Sequence, residues 1–351
     1  MSAPECVAML LHSPCDLSRG ALEDGSIMAG RRGLFQAAAT FSRNPQTGRI
    51  MKPTAKLKSL LAAATTGLLT TTAAGAPIAG SDIIAQFNPG QSLRTQAWGN
   101  VQCYGLIMPS QSVPEQGING TALPLGGTLR FGRATDPIES QRSALRFTLL
   151  VNDPLTAGSY RCETAFSPGA TGLPRGKPFW HAFAVHIPDW RNTTDEQQLA
   201  QWHTGDTSGM QPIYSLLVRD GQMRLVLRYS TEANPTAASV RTIVLWSSAN
   251  WAPNTWYTMV TKALVSTDPS AAPFISTWIN GAQVVNYRGP VGFNQPQALP
   301  YVKHGIYHWI NLNAWDTRAP QRTVHFRRAA LVGDSKGVYA PDDLALFVNS
   351  P

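Results

Sequence analysis

Charge is scarce in this chain: Asp, Glu, Lys and Arg together make up 14% of 351 residues, whereas a chain too polar to build a core is rich in them. Cysteine is scarcer, four in all, and none stands in the Cys and His spacing that a zinc site uses. Trp and Tyr are absent from the N-terminal quarter; all 10 Trp and all 9 Tyr lie at or after Trp98, so the packed core is expected to start well into the chain. No long segment carries helical periodicity. Scattered Asp residues form no loop of oxygen ligands, so no cofactor is expected and a structural calcium ion is left open.

What the N-terminal region does contain reads as a secretory signal. Lys52, Lys56 and Lys58 form a basic stretch, Leu60 to Leu69 a short apolar one, and Thr72-Ala73-Ala74 and Ala74-Gly75-Ala76 offer small-residue cleavage sites. Cleavage after Ala74 is favoured, because a cut after Ala76 leaves Pro77 at the scissile bond. Ten residues are too few to span a bilayer, so no membrane association is expected after cleavage; a buried core helix is the alternative reading. Signals stand at true N-termini, which makes Met51 the expected start, residues 1–50 a non-native extension, 51–76 the signal and 77–351 one domain, exported to the periplasm or the medium as a monomer. The first 76 residues hold 8 of the 29 Lys and Arg and 4 of the 21 Asp and Glu, so 21 against 17 remain and the net charge drops from +8 to +4. Such a surface permits an acidic polymer as partner; nucleic acid is not expected. Of the cysteines only Cys103 and Cys162 remain, either as one disulfide, as export favours, or as two reduced core thiols.

From Ser143 onward, short β-rich runs alternate with turn signals. Strands are expected over residues 144–151, 159–165, 179–187, 199–203, 213–219, 223–229, 242–246, 256–264, 274–279, 282–287, 301–309 and 323–331. Asp220-Gly221 and Asn280-Gly281 mark type I′ hairpins, and residues 189–198 are expected to form one short surface helix. A dozen strands with no helices to cover a parallel sheet predict an all-β jelly-roll sandwich of two antiparallel sheets. Residues 77–142, rich in Gly and Pro, should supply its first strands and long loops.

Two strands carry polar residues at every second position, which puts each set on one face. Gln201 and His203 form one set; Tyr301, Lys303 and Tyr307 form the other; Arg161 and Glu163 add a third pair. Facing one cleft, an amide, an imidazole, an ammonium and two phenols suit proton abstraction beside a carboxylate and protonation of a leaving oxygen. Gln201 can donate to a carboxylate without titrating. His203 can accept the proton or hold the carboxylate, and Tyr307 can protonate the departing oxygen, or serve as both base and acid where the two act on the same face of the sugar. Lys303 is expected to place positive potential near Tyr307, and Arg161, oriented by Glu163, to bind substrate carboxylate. Taken singly, each is commoner as structure: Gln-x-His as a hydrogen-bonded strand, Tyr as cross-strand packing, Arg161 with Glu163 as a surface ion pair. His181, His186, His304, His308 and His325 read as structural, and Trp202 should point into the sandwich.

Together these residues resemble the jelly-roll polysaccharide lyases, the group of heparin lyase I, glucuronan lyase and the alginate lyases of the same concanavalin A-like architecture. The likeness runs from about Ala144 to Asp334: Ser143-Ala-Leu-Arg-Phe147, Arg161-Cys-Glu163, the FWHAFAVHIP strand Phe179 to Pro188, Gln201-Trp-His203, Trp256-Tyr257, Trp278-Ile-Asn-Gly281, Tyr287-Arg-Gly-Pro290 and the YVKHGIY run Tyr301 to Tyr307. The resemblance implies that Gln201 neutralises the carboxylate, His203 acts as base or assists, Tyr307 is the acid and can be the base, and Lys303 and Tyr301 bind an acidic polysaccharide. Two positions depart from the pattern. Ala165 replaces the last arginine of the Arg-x-Glu-x-Arg motif of alginate-cleaving members, and Val302 replaces an aromatic residue. The hairpin and Gly-Pro features are closest to the heparin and glucuronan branch, and a net charge of +4 favours a plain polyglucuronate over a heavily sulfated chain. A non-catalytic lectin-like sandwich is the competing expectation, since fold does not fix function. A glycoside hydrolase needs paired carboxylates, and no Glu-x-Asp-x-x-Glu strand is present.

Overall fold

The computed structural model describes residues 76–351 apart from 97, 121–128, 167–171, 189, 191–192, 206–209, 249–250, 295–298 and 311–313. The expected extension and all but the last residue of the expected signal lie outside the described residues. Five strands precede the run that alternation marks out: β1 (Ile83–Phe87), β2 (Asn100–Cys103), β3 (Leu106–Pro109), β4 (Ile118–Asn119) and β5 (Leu129–Thr135). Twelve follow: β6 (Ser143–Leu150), β7 (Tyr160–Ala165), β8 (Phe179–Ile187), β9 (Gln197–His203), β10 (Tyr214–Arg219), β11 (Gln222–Tyr229), β12 (Arg241–Ser248), β13 (Thr255–Leu264), β14 (Phe274–Ile279), β15 (Ala282–Arg288), β16 (Tyr301–His308) and β17 (Gln321–Gly333).

They pair into two antiparallel sheets, the jelly-roll sandwich that the strand pattern predicts. One runs β15-β14-β13-β8-β17-β6-β5-β4, with β1 added on β17; the other runs β12-β11-β10-β9-β16-β7-β2-β3. Neighbours far apart in sequence, such as β9, β16 and β7, are the crossovers of a jelly roll. Consecutive strands join by tight turns where the dipeptides demand them. Asp220-Gly221 links β10 to β11 and Asn280-Gly281 links β14 to β15, all four residues at positive φ, as a type I′ turn requires.

Between the sheets lie Phe131, Phe147, Phe179, Phe183, Trp202 and Phe326, each at most 4% exposed. Burying a side chain of this size contributes roughly 1.5–3 kcal/mol. Trp202 packs on Tyr214 with ring centroids 4.7 Å apart and donates its indole N–H to His181 Nδ1 at 3.0 Å; the strand period then turns Gln201 and His203 to the opposite, open face. Cys103 of β2 and Cys162 of β7 face each other across the pair and are joined as a disulfide.

Two local expectations fail. Residues 189–198 do not form a helix over their described part: Gln197 and Gln198 open β9, and Asp195 is drawn into the core by Arg322, whose two terminal nitrogens reach it at 2.6 and 2.9 Å. A buried bidentate ion pair outweighs the local helical pattern. A nine-residue helix, α1 (Pro341–Asn349), is present where none was expected; it lays Leu344 and Val348 on Trp180, Val260 and Val332, the outer face of the nine-stranded sheet. Among the described residues no helix is long and apolar enough to cross a membrane.

Candidate active site

The open face of the eight-stranded sheet is where β9, β16 and β7 lie side by side. Their register sets Tyr301 opposite His203, Lys303 opposite Gln201, and Tyr307 between Gln198 on one side and Arg161 on the other. Arg161, Gln201, His203, Lys303 and Tyr307 thereby line one groove of about 540 Å³, with Gln198, Arg228 and Trp309 completing its wall. The alternation in three separate strands has produced one surface.

Gly305 allows these strands to approach so closely. It stands opposite Glu163 with φ at 139°, and a Cβ there would sit 2.1 Å from the carbonyl oxygen of Cys162 and 2.7 Å from Glu163 Cα. No side chain fits, so Tyr307 and Lys303 flank a gap in β16 into which β7 packs.

Glu163 is the hub beneath the groove. Its carboxylate is 2% exposed, accepts a 2.6 Å hydrogen bond from Gln201 Nε2, and lies 3.6 Å from Lys303 Nζ and 4.0 Å from an Arg161 terminal nitrogen. Two cations and an amide compensate a buried charge that would otherwise be untenable. The same cations share a second acceptor, Gln102 Oε1, at 3.0 Å from Lys303 and 3.1 Å from Arg161. Burial pushes the Lys303 ammonium below its ordinary range, while Glu163 pulls the other way. Tyr301 is pushed up to about 12 by burial and then by Glu163, so it stays a neutral phenol and a hydrogen-bond donor.

Tyr307 is half-buried. The Arg161 guanidinium lies over its ring, 4.6 Å from the centroid, and Ser159 Oγ is 3.5 Å from its hydroxyl. The guanidinium over the Tyr307 ring is that of Arg161. Across the groove, the backbone N–H of Gly205 donates to His203 Nδ1 at 3.1 Å, which puts the proton of the neutral imidazole on Nε2. The Tyr301 ring packs on His203 with centroids 5.0 Å apart.

Of the residues singled out by sequence, five line the groove, Tyr301 braces one of them, and Glu163 lies under the floor, bonded more closely to Gln201 than to Arg161. Gln102, Gln198, Arg228 and Trp309 were not anticipated. Gln102 had a signal, since it precedes the cysteine that ties β2 to the Arg161-Cys-Glu163 strand; the others have no motif of their own. His181 and His304 are buried in the core, their Nε2 atoms 2.9 Å apart. Among the described residues, no three His, Cys, Asp or Glu side chains cluster so as to hold a metal ion.

None of the curated proteins compared with the chain matches it. Among solved structures it is similar to an endo-β-1,4-glucuronan lyase from the fungus Trichoderma reesei, at 16% identity over 66% of this chain and 93% of that one, with a TM-score of 0.49. It is also similar to an alginate lyase from Pseudomonas aeruginosa (17% identity, 67% and 98% covered, TM-score 0.42) and one from Corynebacterium sp. (12%, 71% and 99%, TM-score 0.43). The family model described as polysaccharide lyase matches residues 95–328, which is 234 of 351 residues and takes in every strand that lines the groove. On that match the chain belongs to the polysaccharide lyase family.

Proposed function

We propose that this polysaccharide lyase is exported and cleaves a 4-linked uronic-acid polymer by β-elimination, with polyglucuronate the preferred substrate. The observation that carries the reading is that Tyr307, Arg161, Gln201 and His203 line one groove, with the Arg161 guanidinium over the Tyr307 ring.

The C5 proton of a uronate is weakly acidic while the adjacent carboxylate is ionised, so charge spreading onto that carboxylate must be stabilised. Gln201 supplies one amide proton, the other being held by Glu163. His203, protonated on Nε2 when Nδ1 accepts from Gly205, supplies a second donor and is not the base in that tautomer. Tyr307 is left for both remaining tasks. Acting as base beneath the Arg161 guanidinium, its oxygen takes the C5 proton; the C4–O4 bond breaks as the C4=C5 double bond forms, and the same oxygen passes the proton to O4. Atoms and charge balance, and the enzyme ends as it began. Lys303, Glu163 and Gln102 position the donors, and Tyr301 braces His203.

One residue serving as base and acid requires that the C5 proton and O4 lie on the same side of the ring. Glucuronate and mannuronate meet this; galacturonate and guluronate do not. Export is supported by the signal pattern over 51–76 and by the Cys103–Cys162 disulfide, a bond that oxidising compartments maintain. The test is a panel of polyglucuronate, polymannuronate, polygalacturonate and polyguluronate, followed by ultraviolet absorbance of unsaturated products. Activity on the first pair, greatest on polyglucuronate, is expected; cleavage confined to the second pair would overturn the single-tyrosine mechanism.

A further inference from the structure

Cys162 stands between Arg161 and Glu163, and Cys103 directly follows Gln102. The two cysteines are partners in the β2–β7 register, fully buried and joined. Alternation turns their side chains inward and those of Gln102, Arg161 and Glu163 to the open face, so the disulfide lies directly beneath three polar residues of the site. The hold of β2 on the sheet is otherwise slight. It has four register pairs with β7, from Asn100 opposite Ala165 to Cys103 opposite Cys162, and only the edge strand β3 on its other side. Short ribbons at a sheet edge belong to the low-stability end of a fold.

What β2 carries bears on Tyr307. Gln102 Oε1 accepts from Arg161 at 3.1 Å and from Lys303 at 3.0 Å, while its amide nitrogen donates to Asn100 Oδ1 at 3.2 Å. Among the described residues the Arg161 guanidinium makes one other hydrogen bond, to Ala157 O at 3.5 Å. Glu163, 4.0 Å away, attracts the guanidinium without bonding to it. Gln102 therefore sets where Arg161 points, with its guanidinium 4.6 Å from the centre of the Tyr307 ring. If β2 drifts, Glu163 beneath the floor is left as the pull on both cations, and Arg161 is drawn off the ring.

Resting on the lyase and export readings above, we propose that Cys103 and Cys162 are positioning residues of the reaction: their disulfide latches Gln102 against Arg161, so that turnover is full only in the oxidised protein. The latch closes by thiol–disulfide exchange. A disulfide-bearing partner in the export compartment takes two electrons and two protons from the pair; its own S–S bond breaks as the Cys103–Cys162 bond forms, and it leaves as a dithiol. In a reducing compartment the pair stays as two thiols and β2 lacks its covalent tie. Val101, buried in the core, and the Gly105 N–H, bonded to Thr156 Oγ1 at 2.8 Å, keep the ribbon docked without it. The fold thus outlasts the latch.

The test compares kcat and KM on polyglucuronate for the oxidised wild-type protein, for Cys103→Ala with Cys162→Ala, for Gln102→Leu and for all three changes together, at a temperature where melting curves show each to be folded. Loss of the disulfide should lower kcat about tenfold to a hundredfold, the upper figure being the cost of a misplacement near 1 Å, with KM moving little. Gln102→Leu should lower it by a similar factor and the triple variant no further, since both changes act through one contact. Cys103→Val with Cys162→Ala, which refills lost volume, takes the place of the alanine pair should that pair not fold. Wild-type chain refolded in dithiothreitol should show the same low kcat, restored on oxidation by glutathione disulfide. Full kcat in a folded protein without the bond, or losses that multiply in the triple variant, overturns the latch and leaves the lyase reading standing. If the oxidised wild-type protein releases unsaturated product from no polyuronide, the lyase reading falls and this inference with it.

Discussion

Gln201 shows how much a single side chain depends on its neighbours. An amide offers two donors, and Glu163 takes one at 2.6 Å, which fixes the plane of the group and aims the second at the groove. Replacing Gln201 with Ala should lower kcat by about a hundredfold or more, the usual effect of losing one preorganised donor to developing charge, while KM moves little; initial rates on polyglucuronate measure both. A KM effect alone would mean that Gln201 only holds ground-state substrate. The polar side of this site was legible because strand alternation converts sequence spacing directly into facing: Gln201 with His203, and Tyr301, Lys303 and Tyr307 together. What could not be read was partnership between strands. Nothing in the order of residues says that Arg161, rather than Lys303, lies over the Tyr307 ring, or that Gln102 accepts from both cations.

Among the elements, β16 is the one on which the site turns. It sits between β9 and β7, so every side chain on its open face meets residues from both. Gly305 is where shape and chemistry coincide, because the missing side chain allows the Glu163 backbone to approach to within 2.7 Å of where a Cβ would stand. The disulfide ties β2 to β7 across a sequence separation of 59 residues, and thereby holds Gln102 beside Arg161. All twelve strands expected after Ser143 are present, each within two residues of its expected ends, since turn residues bound them; β8, buried at every position, is marked by its apolar and aromatic run and not by alternation. The helix expected over 189–198 failed because the tertiary pair of Asp195 with Arg322 decides that segment. The C-terminal helix escaped notice because nine residues give too few turns for its period to show.

For the molecule as a whole, the sandwich keeps several histidines out of water. Burial pushes His181 down to about 3 and His325 to about 4 from an ordinary 6.5, and holds His304 well below that value. Below about pH 6.5 the unfolded chain therefore binds protons that the folded one refuses, so stability is full above 6.5 and is lost as pH falls toward 3. Thermal melts from pH 7 to 4 should show a falling midpoint, and His304→Phe should make that fall shallower; a midpoint independent of pH would contradict the buried, neutral assignment. The same architecture spreads three strands into one groove with a surplus of cations, which suits a polyanion. The account stands or falls on the Tyr307 hydroxyl. The most direct measurement is the ultraviolet absorbance of unsaturated uronides released from polyglucuronate by the wild-type protein and by Tyr307→Phe: the account predicts a steady rise for the first and none for the second despite retained oligosaccharide binding, and a variant that still releases them would contradict it.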